Sequence, residues 1–185
     1  MTRVIDRIMF VCTANECRSP FVEAYARRAG EGAPVRFESS GTEATGRAVP
    51  EQGLALAAEH RLSVAQHRSR QVDVAILADQ DLILPMSRIH ARELLLLAPA
   101  VAPRLFTLKQ FARWIAQHPR PPRSHLGSWL DAAAADRPRT NFVGDDRLDD
   151  VADPVGRPMH YWRRMAEDVV PAIDAILDGL YQSGR

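Results

Sequence analysis

The sequence predicts an α/β fold: a small doubly wound, four-stranded parallel sheet flanked by helices on both faces. Short apolar runs typical of buried strands alternate with longer helical segments, which is the order that a parallel sheet requires. The first strand, helix and second strand form a β-α-β unit, which we expect to be right-handed. A long amphipathic segment closes the chain. The predicted strands are residues 3–11, 35–39, 81–84 and 104–107.

Seven segments are predicted to be helical, and they cover residues 19–28, 51–60, 73–78, 88–97, 108–117, 126–135 and 158–181. Pro171 lies inside the last helix and could kink it. Apolar positions three and four residues apart give that helix one buried face, formed by Tyr161, Met165, Val169, Ile173, Ile176 and Leu180. Because 185 residues is a typical length for one domain, we expect residues 1–185 to form a single domain.

Composition and charge exclude several classes of function. A net charge of +1 leaves no whole-chain footprint for nucleic acid or for an anionic membrane. The apolar stretch at 94–103 is too short to span a bilayer, and residues 1–7 do not form a secretory signal. Both cysteines, Cys12 and Cys17, lie in one loop and cannot staple a fold, so we expect a reducing, cytoplasmic setting. We expect a monomer or weak dimer, with no nucleic acid and no membrane as partner.

The most informative stretch is residues 11–20, which connect the first predicted strand to the first predicted helix. Ser19 can cap that helix, Pro20 suits its first turn, and Glu23 lies where the helix dipole favours an acid. Backbone N–H groups converge where such a turn enters a helix. The stretch is therefore predicted to bind an anion.

Two side chains make this turn a candidate catalytic site. Cys12 lies at the mouth of the loop, where converging amides and a helix terminus favour the nucleophilic thiolate. Arg18 offers a planar guanidinium that fits two oxygens of a phosphate. Together they indicate phosphate-monoester chemistry through a thiophosphate intermediate. The alternative is a buried structural cysteine beside a surface arginine.

Residues 12–20 resemble the signature loop of the low-molecular-weight protein tyrosine phosphatases, which carry a Cys-x5-Arg-Ser loop near the N-terminus and a late Asp-Pro, here Asp153-Pro154. The resemblance covers most of the chain and is weakest between residues 117 and 147, where 118–145 has no derived function. It also touches Ser39-Ser40-Gly41-Thr42, His67-Arg68-Ser69-Arg70 and Asp81-Leu82-Ile83-Leu84 with Met86 and His90.

The resemblance implies a protein tyrosine phosphatase that needs no metal and no cofactor. Asp153 would be the general acid, with Asp149 and Asp150 as alternatives. Expected ligands are a phosphorylated protein, a small phosphomonoester, or phosphate, sulfate and vanadate anions. The phosphate-binding loop would consist of Thr13, Ala14, Asn15, Glu16, Cys17 and Arg18.

Four residues are expected to support the loop. Ser19 would donate to the Cys12 thiolate, with helix capping alone as the alternative, and Asn15 tolerates left-handed backbone angles. The resemblance implies that Ser39 and His67 hold Asn15. Cys17 is either a packing residue or a redox partner that protects oxidised Cys12 as a disulfide. The remaining histidines, His60, His90, His118, His125 and His160, receive no role.

Three residues are candidates for the rim of the substrate pocket. Glu16 puts a carboxylate where the family usually has an apolar residue, or threonine in its arginine-phosphatase branch. Val155 stands where many tyrosine-specific members place an aromatic residue, and Arg47 lies in a loop that usually borders the pocket. These departures leave open a protein-arginine phosphatase, an arsenate reductase-like protein and a catalytically silent phosphate-binding module.

Overall fold

A parallel sheet with β1 at its centre organises the structure, a computed structural model that describes residues 5–182. The strands are β1 (Asp6–Cys12), β2 (Val35–Gly41) and β3 (Leu82–Pro85), in the order β2-β1-β3. Cys12 pairs with Gly41 on one side of β1, and Val11 pairs with Pro85 on the other. The first predicted strand therefore lies at the centre of the sheet.

The predicted fourth strand is reduced to one residue. Leu105 forms a single parallel bridge with Ile83. A 3-10 helix occupies Pro99–Arg104 immediately before it, and Thr107 already caps the next helix through a capping box with Gln110. Only two residues lie between the 3-10 helix and the capping residue Thr107, too few for a longer run of strand pairing. The α/β architecture is therefore confirmed with three strands rather than four.

Seven α-helices connect and flank the strands within residues 5–182. They are α1 (Arg18–Ala29), α2 (Glu51–Glu59), α3 (Val74–Ala78), α4 (Arg88–Leu97), α5 (Leu108–Ile115), α6 (Leu126–Ala133) and α7 (Met159–Leu177). A second 3-10 helix spans Arg139–Phe142, and a π-helix spans Asp178–Gln182. The predicted helix in the stretch of weakest resemblance thus exists as α6.

Successive residues of β1 point into different apolar clusters, so both faces of the sheet are covered. Ile8 and Phe10 pack in the larger cluster with residues of α1, α5 and α7. Met9 and Val11 pack in the smaller one with residues of α4. Alternation along a strand places neighbouring side chains on opposite faces. This arrangement confirms the predicted doubly wound fold.

The buried face of α7 differs from the prediction at its first position. Tyr161 is 38% exposed, whereas its neighbour Trp162 is 2% exposed. One residue corresponds to a turn of about 100° around a helix, and Trp162 lies three residues before buried Met165. Tyr161 instead contacts the Arg157 guanidinium and the His160 ring. The other five predicted positions are buried.

The segment before Asp153 is fixed to the helices by a buried carboxylate. Asp149 is 2% exposed and accepts hydrogen bonds from Arg88 Nε at 2.5 Å, from Gln110 Nε2 at 2.6 Å and from Arg113. Burial alone would raise the pKa of the Asp149 carboxyl, but the hydrogen bonds from these three side chains lower it. The segment is thereby held against α4 and α5.

Replacing Asp149 by Asn should lower the free energy of unfolding at pH 7 by about 2–3 kcal/mol, because charge-assisted hydrogen bonds are lost. The lowered pKa means that the stabilisation is present above the ordinary carboxyl pKa and is lost as the pH falls through the lowered value. Denaturant unfolding at pH 7 and pH 3 should therefore show a difference between the two proteins that shrinks in acid. Asp145→Asn, at an 82% exposed side chain, is the control; equal losses from both substitutions would contradict this role of Asp149.

The end of β2 touches the turn that follows β1. Gly41 pairs with Cys12, and a Cβ on Gly41 would lie 2.4 Å from Thr13 O and 2.9 Å from Asn15 N. Thr42 N donates to Cys12 O at 3.0 Å, and Glu43 N donates to Thr13 O at 2.9 Å. No side chain fits at Gly41 without moving residues 13–15.

We predict that Gly41→Ala lowers the free energy of unfolding by about 1–3 kcal/mol, since backbone atoms must shift to admit the methyl group. Ser40→Ala is a matched control, because the buried Ser40 hydroxyl has no hydrogen-bond partner in the described part of the chain. That control should change stability by less than about 1 kcal/mol. Denaturant unfolding measures both, and an unchanged midpoint for Gly41→Ala would refute the close approach.

Candidate active site

The candidate site lies at the carboxyl end of the sheet, where β1 runs into α1. Cys12 is the last residue of β1 and Arg18 the first of α1, so residues 13–17 form a short turn between them. Cys17 occupies the N-cap position, and no side chain caps the helix. The predicted capping role of Ser19 is therefore wrong, because the helix begins one residue earlier and encloses Ser19 in its first turn.

The hydroxyl of Ser19 contacts the thiol instead. Cys12 Sγ lies 3.0 Å from Ser19 Oγ, and both residues are buried, Cys12 with 2% exposure. Ser19 Oγ accepts a hydrogen bond from Asn15 Nδ2 at 2.9 Å. The Ser19 hydroxyl then has two acceptors within reach, the sulfur and Ser40 O at 3.5 Å, and the sulfur is the nearer of the two.

Asn15 determines the shape of the turn. Its φ of 55° is left-handed, and the residue is fully buried. Asn15 Nδ2 also donates to Ser39 Oγ at 2.8 Å, Asn15 Oδ1 accepts from Arg70 N at 2.9 Å, and Asn15 O lies 2.8 Å from His67 Nε2. Residues of one helix, one strand and one loop thus hold Asn15. The structure brings the four predicted supporting residues together.

Two contacts at this turn were not predicted from the sequence. Ser39 Oγ donates to Glu23 Oε2, so Glu23 belongs to the hydrogen-bond network. The favourable position predicted for it at the helix dipole is wrong, because Glu23 lies beyond the first turn of α1. The main chain of Arg70 supplies the donor to Asn15 Oδ1. The motif His67-Arg68-Ser69-Arg70 marked this segment as part of the resemblance. Because every residue except proline has a backbone N–H, the donor at Arg70 could not be identified from its residue type.

The guanidinium of Arg18 joins the turn to the distant segment before α7. Arg18 Nη2 donates to Asp153 Oδ2 at 2.5 Å and to Thr13 Oγ1 at 3.2 Å, while Nη1 donates to Val151 O at 3.4 Å. Arg18 Nε is buried and has no partner among residues 5–182. The Arg18 side chain is 7% exposed and that of Asp153 is 46% exposed. The carboxylate therefore lies on the solvent side of the guanidinium.

The structure separates Asp153 from the two alternative acids. Asp149 is buried among Arg88, Arg113 and Gln110, and Asp150 Oδ1 accepts from Arg88 N at 2.7 Å. Asp153 Oδ1 accepts from Val155 N at 3.0 Å, a local turn contact that leaves Oδ2 to face Arg18. Of the three, Asp153 is the carboxylate in contact with the candidate site.

Cys17 differs sharply from Cys12 although both are free thiols in one turn. Burial raises the pKa of the Cys17 thiol far above its ordinary value, the charges of Asp153 and Cys12 raise it further, and Arg18 opposes them. A thiol that stays protonated is a poor nucleophile. Cys17 is therefore not a competing nucleophile, and its redox role stays a prediction.

The three residues predicted at the rim of the substrate pocket make fewer side-chain contacts than the residues that support the turn. Glu16 is half-buried in the turn, and its carboxylate makes no hydrogen bond or ion pair within residues 5–182. Val155 is 56% exposed. Arg47 is exposed and pairs with Ser69 through its main chain, with no hydrogen bond from its side chain to residues 12–18. Only Glu16 belongs to the turn itself.

Sequence reasoning missed one histidine. His90, in the first turn of α4, lies with Nε2 2.8 Å from Thr13 Oγ1 and Nδ1 2.8 Å from Ser87 Oγ. It is 3% exposed, and burial together with the positive charge of Arg18 lowers the pKa of its imidazole to about 3. Ser87, three residues before the histidine and three residues after the predicted strand 81–84, was the signal that could have indicated it.

Residues 5–182 contain no group of three or more His, Cys, Asp and Glu side chains that could hold a metal ion. None of the helices in that range combines the length and apolarity needed to cross a membrane.

Comparison with known proteins agrees with this geometry. The family model described as low molecular weight phosphotyrosine protein phosphatase matches residues 7–120, which include the turn but end before Asp153. The low molecular weight protein-tyrosine-phosphatase Wzb of Escherichia coli K12 is 31% identical over 112 residues, covering 60% of this chain and 73% of that protein. The probable phosphatase EpsP of Ralstonia solanacearum is 28% identical over 131 residues, covering 71% and 88%.

Solved structures extend the similarity to nearly the whole chain. The low molecular weight protein tyrosine phosphatase from T. tengcongensis superposes with a TM-score of 0.71 at 26% identity, covering 95% of this chain and 99% of that one. The YwlE arginine phosphatase of Geobacillus stearothermophilus gives a TM-score of 0.70 at 25% identity, covering 94% and 91%. The family model matches residues 7–120, which is more than half of the chain. This chain therefore belongs to the low molecular weight phosphotyrosine protein phosphatase family.

Proposed function

We propose that the protein is a metal-independent protein tyrosine phosphatase that hydrolyses phosphate monoesters through a cysteinyl-phosphate intermediate. The contact of one guanidinium, Arg18, with both the turn that carries Cys12 and the carboxylate of Asp153 is the observation that carries this proposal. Nucleophile, anion-binding group and acid are thereby gathered at one place.

In the first step the Cys12 thiolate attacks the phosphorus of the monoester. An S–P bond forms and the P–O bond to the leaving group breaks, while Asp153, in its protonated form, gives its proton to the departing oxygen. Arg18 and the backbone N–H groups of the turn hold the remaining phosphate oxygens. Because Asp153 lies on the solvent side of Arg18, a phosphate bound to the guanidinium would have its leaving group facing this carboxyl.

In the second step water completes the hydrolysis. Asp153, now ionised, takes a proton from a water molecule whose oxygen attacks phosphorus, and the S–P bond breaks to release phosphate and regenerate the thiolate. The Ser19 hydroxyl, whose oxygen is occupied by Asn15, directs its proton to the departing sulfur. Such a donor stabilises the thiolate as a leaving group.

The matched tyrosine phosphatases support phosphotyrosine in proteins as the substrate class. Reduced Cys12 is required, so we place the activity in the cytoplasm. The arginine phosphatase among the structural relatives makes phosphoarginine the alternative to test, because the unpaired Glu16 carboxylate could accept a cationic neighbour of the phosphate.

Removal of the nucleophile should abolish turnover: Cys12→Ser is expected to reduce kcat for an aryl phosphate by about 10^3-fold or more. Asp153→Asn should reduce it by about 10^2-fold for phenyl phosphate, and by less when the leaving phenol is more acidic, since such a group needs no proton. Steady-state rates across a series of aryl phosphates measure both effects. Asp145→Asn is the matched control; undiminished turnover by Cys12→Ser would end the proposal.

Glu16 should set the preference for residues that flank the phosphate. Glu16→Gln removes the charge at nearly constant volume, and Glu16→Ile installs the apolar residue usual in the family. Either is expected to raise kcat/KM about three- to fivefold for phosphotyrosine peptides with acidic flanks, because about 1 kcal/mol of repulsion is removed.

Phosphotyrosine, phosphoserine and phosphoarginine peptides should be compared with wild type and both variants, with Glu51→Gln as the control for a charge outside the turn. The wild type is expected to prefer phosphotyrosine. A preference of the wild type for phosphoarginine would replace the proposed substrate class.

A further inference from the structure

A chain of hydrogen bonds runs from the start of α4 into the phosphate-binding turn. Ser87 Oγ lies 2.8 Å from His90 Nδ1, His90 Nε2 lies 2.8 Å from Thr13 Oγ1, and Arg18 Nη2 donates to that same oxygen at 3.2 Å. Ser87 and His90 are buried, and Thr13 is half-buried. The mechanism above uses neither Ser87 nor His90.

The imidazole of His90 is neutral at physiological pH, since burial and the charge of Arg18 lower its pKa to about 3. A neutral imidazole has one N–H donor and one acceptor nitrogen. Either Nε2–H donates to Thr13 and Nδ1 accepts from Ser87, or Nδ1–H donates to Ser87 and Nε2 accepts from Thr13. The two arrangements leave the Thr13 proton in different places.

The contacts of Ser87 decide between these arrangements. Ser87 is the N-cap of α4, and its Oγ accepts from His90 N at 3.4 Å. If Ser87 also accepted from Nδ1–H, its own buried hydroxyl proton would have no acceptor among the described residues. If Ser87 donates to Nδ1, the Ser87 hydroxyl proton and the His90 ring proton both have acceptors, Nδ1 and Thr13 Oγ1 respectively. Buried polar groups are rarely left unpaired, so Nε2 carries the proton.

The Thr13 oxygen then accepts two hydrogen bonds, from His90 Nε2 and from Arg18 Nη2. Its hydroxyl proton must point away from both. Thr13 directly follows Cys12, and the guanidinium that it contacts is the group that would bind phosphate. The remaining direction for the proton is toward an anion held by Arg18.

We propose that His90 is a positioning residue, which turns the Thr13 hydroxyl so that it donates a hydrogen bond to a phosphate oxygen bound by Arg18. The inference deepens the proposed function and rests on it for the identity of the anion. Thr13 would bind phosphate through its side chain as well as through the backbone of the turn. His90 itself touches no substrate.

The tautomer can be measured in the unmodified protein. In ¹⁵N-labelled enzyme, with and without inorganic phosphate, the ¹⁵N shifts of His90 should identify Nε2 as the protonated nitrogen and Nδ1 as the acceptor. The ring should not titrate between pH 5 and pH 8. A proton on Nδ1 would overturn the proposal without recourse to any variant.

The function is tested by the affinity for inorganic phosphate, measured by calorimetry and as competitive inhibition of aryl phosphate hydrolysis. His90→Phe keeps an aromatic ring but has no donor, and Thr13→Val keeps the shape but has no hydroxyl. Each should weaken phosphate binding about tenfold and raise KM similarly, with kcat changed less than threefold, since the bond is present before and during reaction. His90→Gln, whose amide can still donate to Thr13, should retain most of the affinity.

The double variant separates positioning from general destabilisation. Because His90 acts through Thr13, adding His90→Phe to Thr13→Val should weaken phosphate binding no further. Additive losses, an equal loss in His90→Gln, or unchanged binding in His90→Phe would each overturn the inference. His118→Gln, a histidine stacked on Trp114 outside the site, is the control. A wild type that binds phosphate but does not turn over would refute the proposed function and leave this test standing.

Discussion

The left-handed backbone of Asn15 is the constraint on which the rest of the site depends. A non-glycine residue at a φ of 55° is uncommon and persists only when its surroundings hold it. Here Ser19, Ser39, the main chain of Arg70 and His67 occupy its polar atoms. Because these partners come from α1, β2 and the loop after α2, the turn acquires its shape only when the whole fold is assembled.

A second consequence follows from the absence of a side chain at Gly41. The carbonyl of Thr13 can approach β2 only because no Cβ stands there. The turn runs from there into the N-terminus of α1, where the helix dipole favours an anion. The sheet register, which pairs Gly41 with Cys12, therefore also determines how closely the turn can approach β2.

The sequence predicted what a local pattern or the family resemblance covers, and it missed contacts between distant segments that neither of them covers. Strand β1, the turn and the pairing of Asn15 with Ser39 and His67 followed from a short motif and a family resemblance. The fourth strand was wrong because Pro103 and the cap at Thr107 leave one residue to pair. The first position of the α7 face was wrong because Tyr161 and Trp162 are both aromatic, and only packing decides between them.

The site contacts that were missed share one physical origin. His90 is 77 residues from Thr13 along the chain, and no spacing rule connects them. Glu23 and the main chain of Arg70 likewise contribute through tertiary packing. The choice of Asp153 over Asp149 as the general acid stays a prediction, and the physical reason for it, the two arginines that pair with Asp149, became visible only in the structure.

The contrast between the two thiols shows how one short turn makes a single nucleophile. Cys12 and Cys17 lie five residues apart, and both are buried. Cys12 meets a hydroxyl proton from Ser19, whose oxygen is already occupied by Asn15. Cys17 has no such donor within residues 5–182. Its burial is the main cause that raises the pKa of its thiol, and the nearby negative charges of Asp153 and Cys12 raise it further. In the proposed mechanism Asn15 therefore has two effects: it shapes the turn, and it occupies the oxygen of the Ser19 hydroxyl that lies beside Cys12.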